Sequence, residues 1–364
     1  MQDSKSFLQI NSESLVSFNS PDVKLWGGLY NYLAPNKTLV DRSGHITMPF
    51  NVSVYERFKL PKLDYTFNKS FDDVCLETAN NILKHQDTLQ KPIYLFYSGG
   101  IDSVAVLVSF LKILSVKEAS ERISIVMTSD GIQEYPKMYR EIIRPNFDII
   151  CGDNIENFFN RQAILLTGGQ GDKIFGTDNI GKIYRAGRFN EVKLPYSEKF
   201  IVEFWASLGI PRDSANKWFD LLDNQIKTQG VKVETNFDFL WWFNFLLEWQ
   251  SEYFLFPLRS AAKLDLDFYQ NYMLAFYDST DHQLWSINNT NKRIKDTWNS
   301  YKFVAKDFIF SYNKDVDYRD NKIKGPSLNR LFHGKKIPTG IDANLQTFDS
   351  FKIEDIYNVR NSFC

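Results

Sequence analysis

Residues 93–108 read IYLFYSGGIDSVAVLV, and this stretch decides the fold. Ile93 to Tyr97 form an apolar run of β-branched and aromatic side chains without polar alternation. That pattern suits a strand buried on both faces of a parallel sheet. Ser98-Gly99-Gly100 then turns the chain, and Asp102-Ser103 opens an apolar run that reads as a helix. A strand, a glycine turn and a helix N-terminus together make an anion site. Glycines let backbone N–H groups come close to the anion, and the helix dipole adds partial positive charge there. Ser98 and Ser103 supply hydroxyl donors. Asp102 places a carboxylate where a phosphate-bound magnesium would use it.

The spacing lacks the lysine of GxxxxGK[ST] and the three glycines of GxGxxG, so neither of those phosphate motifs fits. SGGIDS instead resembles the SGGxDS pyrophosphate loop of ATP pyrophosphatases, which split ATP between its α and β phosphates. At average residue usage, a chance match in a chain of this length has odds on the order of one in a thousand. The surrounding chain alternates elements. Val74, Leu76, Ala79, Ile82 and Leu83 recur at helical spacing over Phe71–Leu83, ahead of the first strand. After the loop come a helix to about Leu114, a strand over Ile123–Thr128 and a helix near Tyr135–Ile143. A strand over Phe147–Ile150, a helix near Ile155–Arg161 and a strand over Ala163–Thr167 follow. This alternation predicts an α/β fold, a doubly wound parallel sheet with helices on both faces and ligands at the carboxyl ends of its strands.

The last of those strands runs into a second glycine loop, Thr167-Gly168-Gly169-Gln170-Gly171-Asp172-Lys173-Ile174-Phe175-Gly176. A neighbouring strand would deliver it beside the first loop, so that Asp172 faces Asp102 across a nucleotide and shares a magnesium with it. The pair of loops resembles the synthetase domain of asparagine synthetases and their relatives, the β-lactam synthetases and lasso-peptide cyclases. There the second loop usually reads SGxGxDExFGG. Thr167, Gly168, Asp172, Phe175 and Gly176 fit, while Gln170 and Thr177 stand where glycines are usual and Lys173 where an acid is.

The resemblance covers roughly residues 70–330 and implies an adenine nucleotide alpha hydrolase-like fold. It implies that Ser98, Gly99, Gly100, Ser103, Gly168 and Gly169 hold ATP, that Asp102 and Asp172 bind Mg2+, and that Ser129, in Thr128-Ser129-Asp130-Gly131, contacts adenine. The family carries a catalytic lysine in a (T/Y)KxxLR-like pattern, followed by a basic RxKxGF-like segment. Tyr301-Lys302 and Arg319–Gly325 follow that order. Lys302 is therefore the expected catalytic lysine, with Lys322 and Lys324 facing the leaving pyrophosphate. A catalytic glutamate is also implied. Glu134, Glu141 and Glu156 are the candidates, Glu134 first, because a helix N-terminus after the second strand would point into the cleft.

The activity so implied is an ATP-dependent, AMP-forming ligase. It would adenylate a small-molecule carboxylic acid and pass the acyl group to ammonia or an amine, with a separate amidotransferase as one source of ammonia. Met1-Gln2 and a first cysteine at Cys75 predict no intrinsic glutaminase. An intramolecular lactam-forming cyclase and a non-catalytic nucleotide-binding relative are the alternatives.

Composition sets the remaining bounds. Lys and Arg total 43 against 44 Asp and Glu, a net charge of −1, so no basic field argues for nucleic acid or an anionic membrane. Three widely spaced cysteines, Cys75, Cys151 and Cys364, form no disulfide framework and fit a reducing cytoplasm. The N-terminus has no signal-peptide apolar region, and Phe237–Leu247 is too short to cross a bilayer. The expected division is a small antiparallel β-rich element over 1–68, with strands at Val23–Tyr32 and His45–Phe50. The synthetase-like domain follows over 69–330, helical from 198 to about 310, and a C-terminal extension occupies 331–364.

Overall fold

The computed structural model describes residues 6–7, 39–46, 51–52, 56–152, 155–177, 179–254 and 267–323. The chain divides into two compact units, each discontinuous in sequence. One comprises Leu63–Phe175 and Leu266–Lys336; the other comprises Met1–Lys62, Gly176–Asp265 and Ile337–Cys364.

The first unit is α/β and is built on a five-stranded, all-parallel sheet. Its strands are β1 (Ile93–Phe96), β2 (Ile123–Met127), β3 (Ile149–Cys151), β4 (Ile164–Thr167) and β5 (Met273–Ala275), in the order β3-β2-β1-β4-β5. Ile93 lies opposite both Ile123 and Ile164, and Leu95 opposite both Ile125 and Leu166. This register brings the carboxyl ends of β1 and β4 side by side, each followed by its glycine loop. Ile93 and Leu95 are fully buried, as an unalternating apolar strand at the centre of a sheet requires.

The helices of this unit follow local signals. α1 (Phe71–Leu89) starts at a Ser70–Asp73 capping box and ends where Gln90 turns left-handed at φ 53°. It buries Phe71, Val74, Cys75, Thr78, Ala79, Ile82, Leu83 and Gln86, the stripe expected of an amphipathic helix. α2 (Ile101–Leu111) buries every residue except Asp102. α3 (Val116–Arg122) has a second capping box, Ser115 with Glu118. The short α4 (Ser129–Glu134) follows β2, and α5 (Gly171–Phe175) follows the second glycine loop. α6 (Thr280–Asn288), α7 (Phe303–Asn313) and α8 (Val316–Asn321) complete the unit.

Several expectations change here. The helix expected near Tyr135–Ile143 is a contiguous helical run from Pro136 to Asn146 that contains a π-helical turn at Tyr139–Ile143. Pro136 stands in its first turn, where no backbone donor is needed, while Pro145 removes a donor near its end. The helix expected near Ile155–Arg161 is a single 3-10 turn, Ile155–Phe158. β5 was not expected at all: Met-Leu-Ala has no marked strand preference, and it pairs only because Leu165–Thr167 offers it an edge.

The second unit contains the helices Glu198–Ser207, Arg212–Gln229 and Asn236–Leu247, so this helical stretch lies outside the unit that carries the sheet. All residues of Asn236–Leu247 are buried, and Thr235 with Asp238 forms its capping box. Arg42, 3% exposed, donates to the carbonyl of Phe245 at 2.9 Å and lies 4.4 Å over the Trp249 ring. Ser6–Phe7 pairs with Asn51–Val52 in parallel. The expected strand Val23–Tyr32, most of His45–Phe50 and the 331–364 extension lie outside the described residues. No helix among the described residues is long and apolar enough to cross a membrane.

Candidate active site

The site lies within the sheet-bearing unit, at the carboxyl ends of β1, β2 and β4. In the first loop, Gly99 takes φ +70°, the left-handed region that favours glycine. A Cβ there would fall 2.5 Å from the carbonyl oxygen of Gly131 and 2.7 Å from Glu134 Cβ, so the loop packs directly on α4. Ser103 Oγ accepts from the Ser98 backbone N–H at 3.1 Å and donates to the Gly100 carbonyl at 3.1 Å; Ser98 Oγ lies 3.2 Å from it. The N-terminus of α2 carries no side-chain cap, which leaves its first N–H groups for an anion.

The second loop closes against the first. A Cβ on Gly171 would lie 2.5 Å from Asp102 Cγ, and one on Gly168 would lie 3.2 Å from the Ser103 nitrogen. Gly171 is thus a site residue that the sequence reading did not single out, although the run Thr167–Gly171 carried the signal. Gln170 is buried and takes φ +64°, a conformation that explains why glycine would be usual there. Gly169 is less constrained, with Thr167 Oγ1 3.1 Å from its would-be Cβ.

Lys302 joins the two loops. Its ammonium donates to Asp102 Oδ1 at 2.7 Å, Asp102 Oδ2 at 2.5 Å and Asp172 Oδ1 at 2.5 Å. The lysine side chain is 1% exposed, whereas Asp102 and Asp172 are 23% and 30% exposed. Burial works against the ammonium's charge, and the two carboxylates outweigh that penalty, so its pKa lies above the ordinary lysine value. Lys302 precedes α7 instead of lying on it. It takes φ +60°, and its N–H donates to the Arg293 carbonyl at 2.8 Å. Tyr277 donates to the Asp102 carbonyl at 3.1 Å. The neighbouring phenol of Tyr301 is buried without a hydrogen-bond partner, and burial, then Asp172 and Asp102, push it well above the usual tyrosine value.

Glu134 and Lys322 meet on the other side of the first loop. The Lys322 ammonium donates to the Glu134 carboxylate and, at 3.0 Å, to the Glu134 carbonyl. Their side chains are 12% and 8% exposed. Glu134 closes α4 instead of opening a helix, because α4 already begins at Ser129 behind Thr128. No helix N-terminus therefore aims Glu134 into the cleft, and its carboxylate is committed to an ion pair with Lys322. Glu141 is exposed on the π-helical turn. Ser129 is exposed at the start of α4, next to Gly131. Lys324 lies outside the described residues.

Asp102 and Asp172 are the groups that would hold a magnesium ion. They are hard oxygen anions from adjacent loops, close enough to share one ammonium, and partly exposed. Among the described residues no cluster of three or more His, Cys, Asp or Glu forms a metal site. Magnesium commonly binds through one or two carboxylates together with substrate phosphates, which this donor set fits. Compared with known proteins, the chain matches no family model, no curated protein and no solved structure.

Proposed function

We propose that the chain is an ATP-dependent, AMP-forming ligase of the asparagine-synthetase type, which joins a carboxylic acid to ammonia or an amine. The observation that carries this reading is the meeting of Asp102, Asp172 and Lys302 at two glycine loops on adjacent parallel strands. Part of the same reading is a doubly wound sheet. The order β3-β2-β1-β4-β5 reverses at β1, and right-handed crossovers on either side of such a reversal put helices on both faces, with the ligand crevice between the diverging loops.

In this scheme the Ser98–Gly100 turn, the start of α2 and the Ser98 and Ser103 hydroxyls bind the β and γ phosphates. Asp102 and Asp172 would hold magnesium, which would supply charge neutralisation to the polyphosphate. A substrate carboxylate oxygen bonds to the α phosphorus, and the α–β bridging bond breaks with its electrons leaving on pyrophosphate. Lys302 and Lys322 face the charge that develops there, as compact cations held in place by their carboxylate partners. An amine nitrogen then bonds to the acyl carbon of the mixed anhydride, AMP departs, and the amine loses a proton. The fixed geometry of the two loops supplies the orientation that makes this sequence effectively unimolecular.

The test is pyrophosphate release with ATP and magnesium against a panel of carboxylic acids, with and without ammonium. Acid-dependent release that rises with ammonium is expected. Release that ignores ammonium would assign the lactam-forming alternative, and ATP binding without release from any acid would leave only a nucleotide-binding role.

A further inference from the structure

Lys306 lies one helical turn beyond Lys302, yet it has different partners. Its ammonium donates to two main-chain carbonyls, those of Asn299 and Lys322. The residue is 2% exposed. Burial first, and the nearby Lys322 charge second, push its pKa down to about 8. An ammonium kept under those conditions costs more than an apolar side chain of the same length would, so packing alone does not account for a lysine here.

The carbonyl it grips belongs to the residue whose own ammonium reaches Glu134. Glu134 in turn packs on Gly99, which has no room for a Cβ against it. Tyr318, on α8, reaches the Gly99 carbonyl through its hydroxyl at 3.4 Å and stacks on Tyr135 at 3.9 Å. The Lys322 N–H donates to the Tyr318 carbonyl at 3.2 Å, which continues the same connection. Lys322 is therefore held by its backbone from α7 and by its side chain from α4, immediately beside the first glycine loop.

We infer that Lys306 is a positioning residue: by holding the Lys322 carbonyl it sets the reach of the Lys322 ammonium toward a polyphosphate ligand at the Ser98–Gly100 turn. The inference rests on the reading of that turn as a pyrophosphate site, and it adds a lysine that acts through another lysine without touching the ligand. A cation with two or three donors can clamp two carbonyls at once. Methionine, of similar length, cannot, while arginine keeps both charge and donors.

The experiment compares Lys306→Met, Lys306→Arg, Lys322→Ala and the Lys306→Met/Lys322→Ala double variant in the full chain. Hydrogen exchange over residues 316–323 without ligand is read beside kcat and KM for ATP in pyrophosphate release. For Lys306→Met, faster exchange over that segment is expected. Its kcat should fall by about tenfold or more with KM changed by less than about threefold, the pattern of lost transition-state contact. Lys306→Arg should recover most of both, and the double variant should be no slower than Lys322→Ala alone. Unchanged exchange in Lys306→Met, a lowered melting temperature with kcat intact, or full additivity in the double variant would overturn the inference. Should Lys322→Ala keep full kcat while exchange still loosens in Lys306→Met, the clamp stands as a structural contact but its phosphate role fails. Should the wild type release no pyrophosphate with any acid, the ligase reading fails separately. The inference is then judged by exchange and ATP affinity, and an unchanged ATP dissociation constant in Lys306→Met would overturn it.

Discussion

Lys302 holds two carboxylates with one ammonium, and that stoichiometry makes the consequences of substitution asymmetric. Removing one carboxylate leaves the buried cation with a partner; removing both leaves a charge buried without compensation. Asp102→Asn and Asp172→Asn are each expected to cut pyrophosphate release by about a hundredfold or more, since an amide oxygen is a poorer magnesium ligand than a carboxylate. Each should keep a melting temperature within a few degrees of wild type. The Asp102→Asn/Asp172→Asn double variant is expected to lose about 3–5 kcal/mol, the cost of stranding a buried charge. That loss should exceed the sum of the single effects in urea unfolding. Additive stabilities in that cycle would show that Lys302 does not depend on the pair.

At the scale of elements, α1 and α6 pack through a buried polar seam. His282 on α6 lies 3.7 Å from Cys75 Sγ and 3.5 Å from Thr78 Oγ1, both on α1, and 2.8 Å from Ser279 Oγ. Phe71, Phe276 and Tyr277 enclose its ring. Burial pushes the His282 pKa from 6.5 down to about 3, and burial also raises the Cys75 thiol well above its usual value. A histidine whose folded pKa is depressed binds fewer protons folded than unfolded between those two values. Its contribution to stability is then fully present above about pH 6.5 and is lost as pH falls toward 3. The free energy of unfolding should decline from pH 6.5 to 4 with a component approaching one proton per molecule. His282→Gln, which cannot titrate, should remove that component. A wild-type stability flat over this range would show that the imidazole is accessible to protonation in the folded state.

For the whole molecule, the sheet-bearing unit draws β5, α6 and Lys302 from residues beyond 266, after the chain has passed through the second unit. A chain ended at residue 265 would lack β5 and expose the edge of β4, an invitation to intermolecular pairing. It would also strand Asp102 and Asp172 without their cation. Such a fragment is expected to aggregate and to show no ATP-dependent protection from thermal unfolding, as light scattering and thermal shift would register. A soluble, ATP-stabilised fragment would mean that the first four strands suffice. The sequence by itself determined the parallel α/β character, β1 with its turn and α2, and the second glycine loop with Asp172. These are written in local chemistry: unalternating apolar runs and glycines at turns. It was silent on β5 and on the π-helical turn at Tyr139–Ile143, and it overstated the 3-10 turn Ile155–Phe158 as a helix. The contacts of Lys302 with Asp102 and Asp172, of Lys322 with Glu134 and of Lys306 with the Lys322 carbonyl were decided by tertiary structure. The first three span separations of 200, 130 and 188 residues, and no local pattern or period encodes which lysine meets which carboxylate across such distances. Lys306 and Lys322 are only 16 apart, but a loop and two helix ends intervene, so their meeting also depends on how α7 and α8 pack.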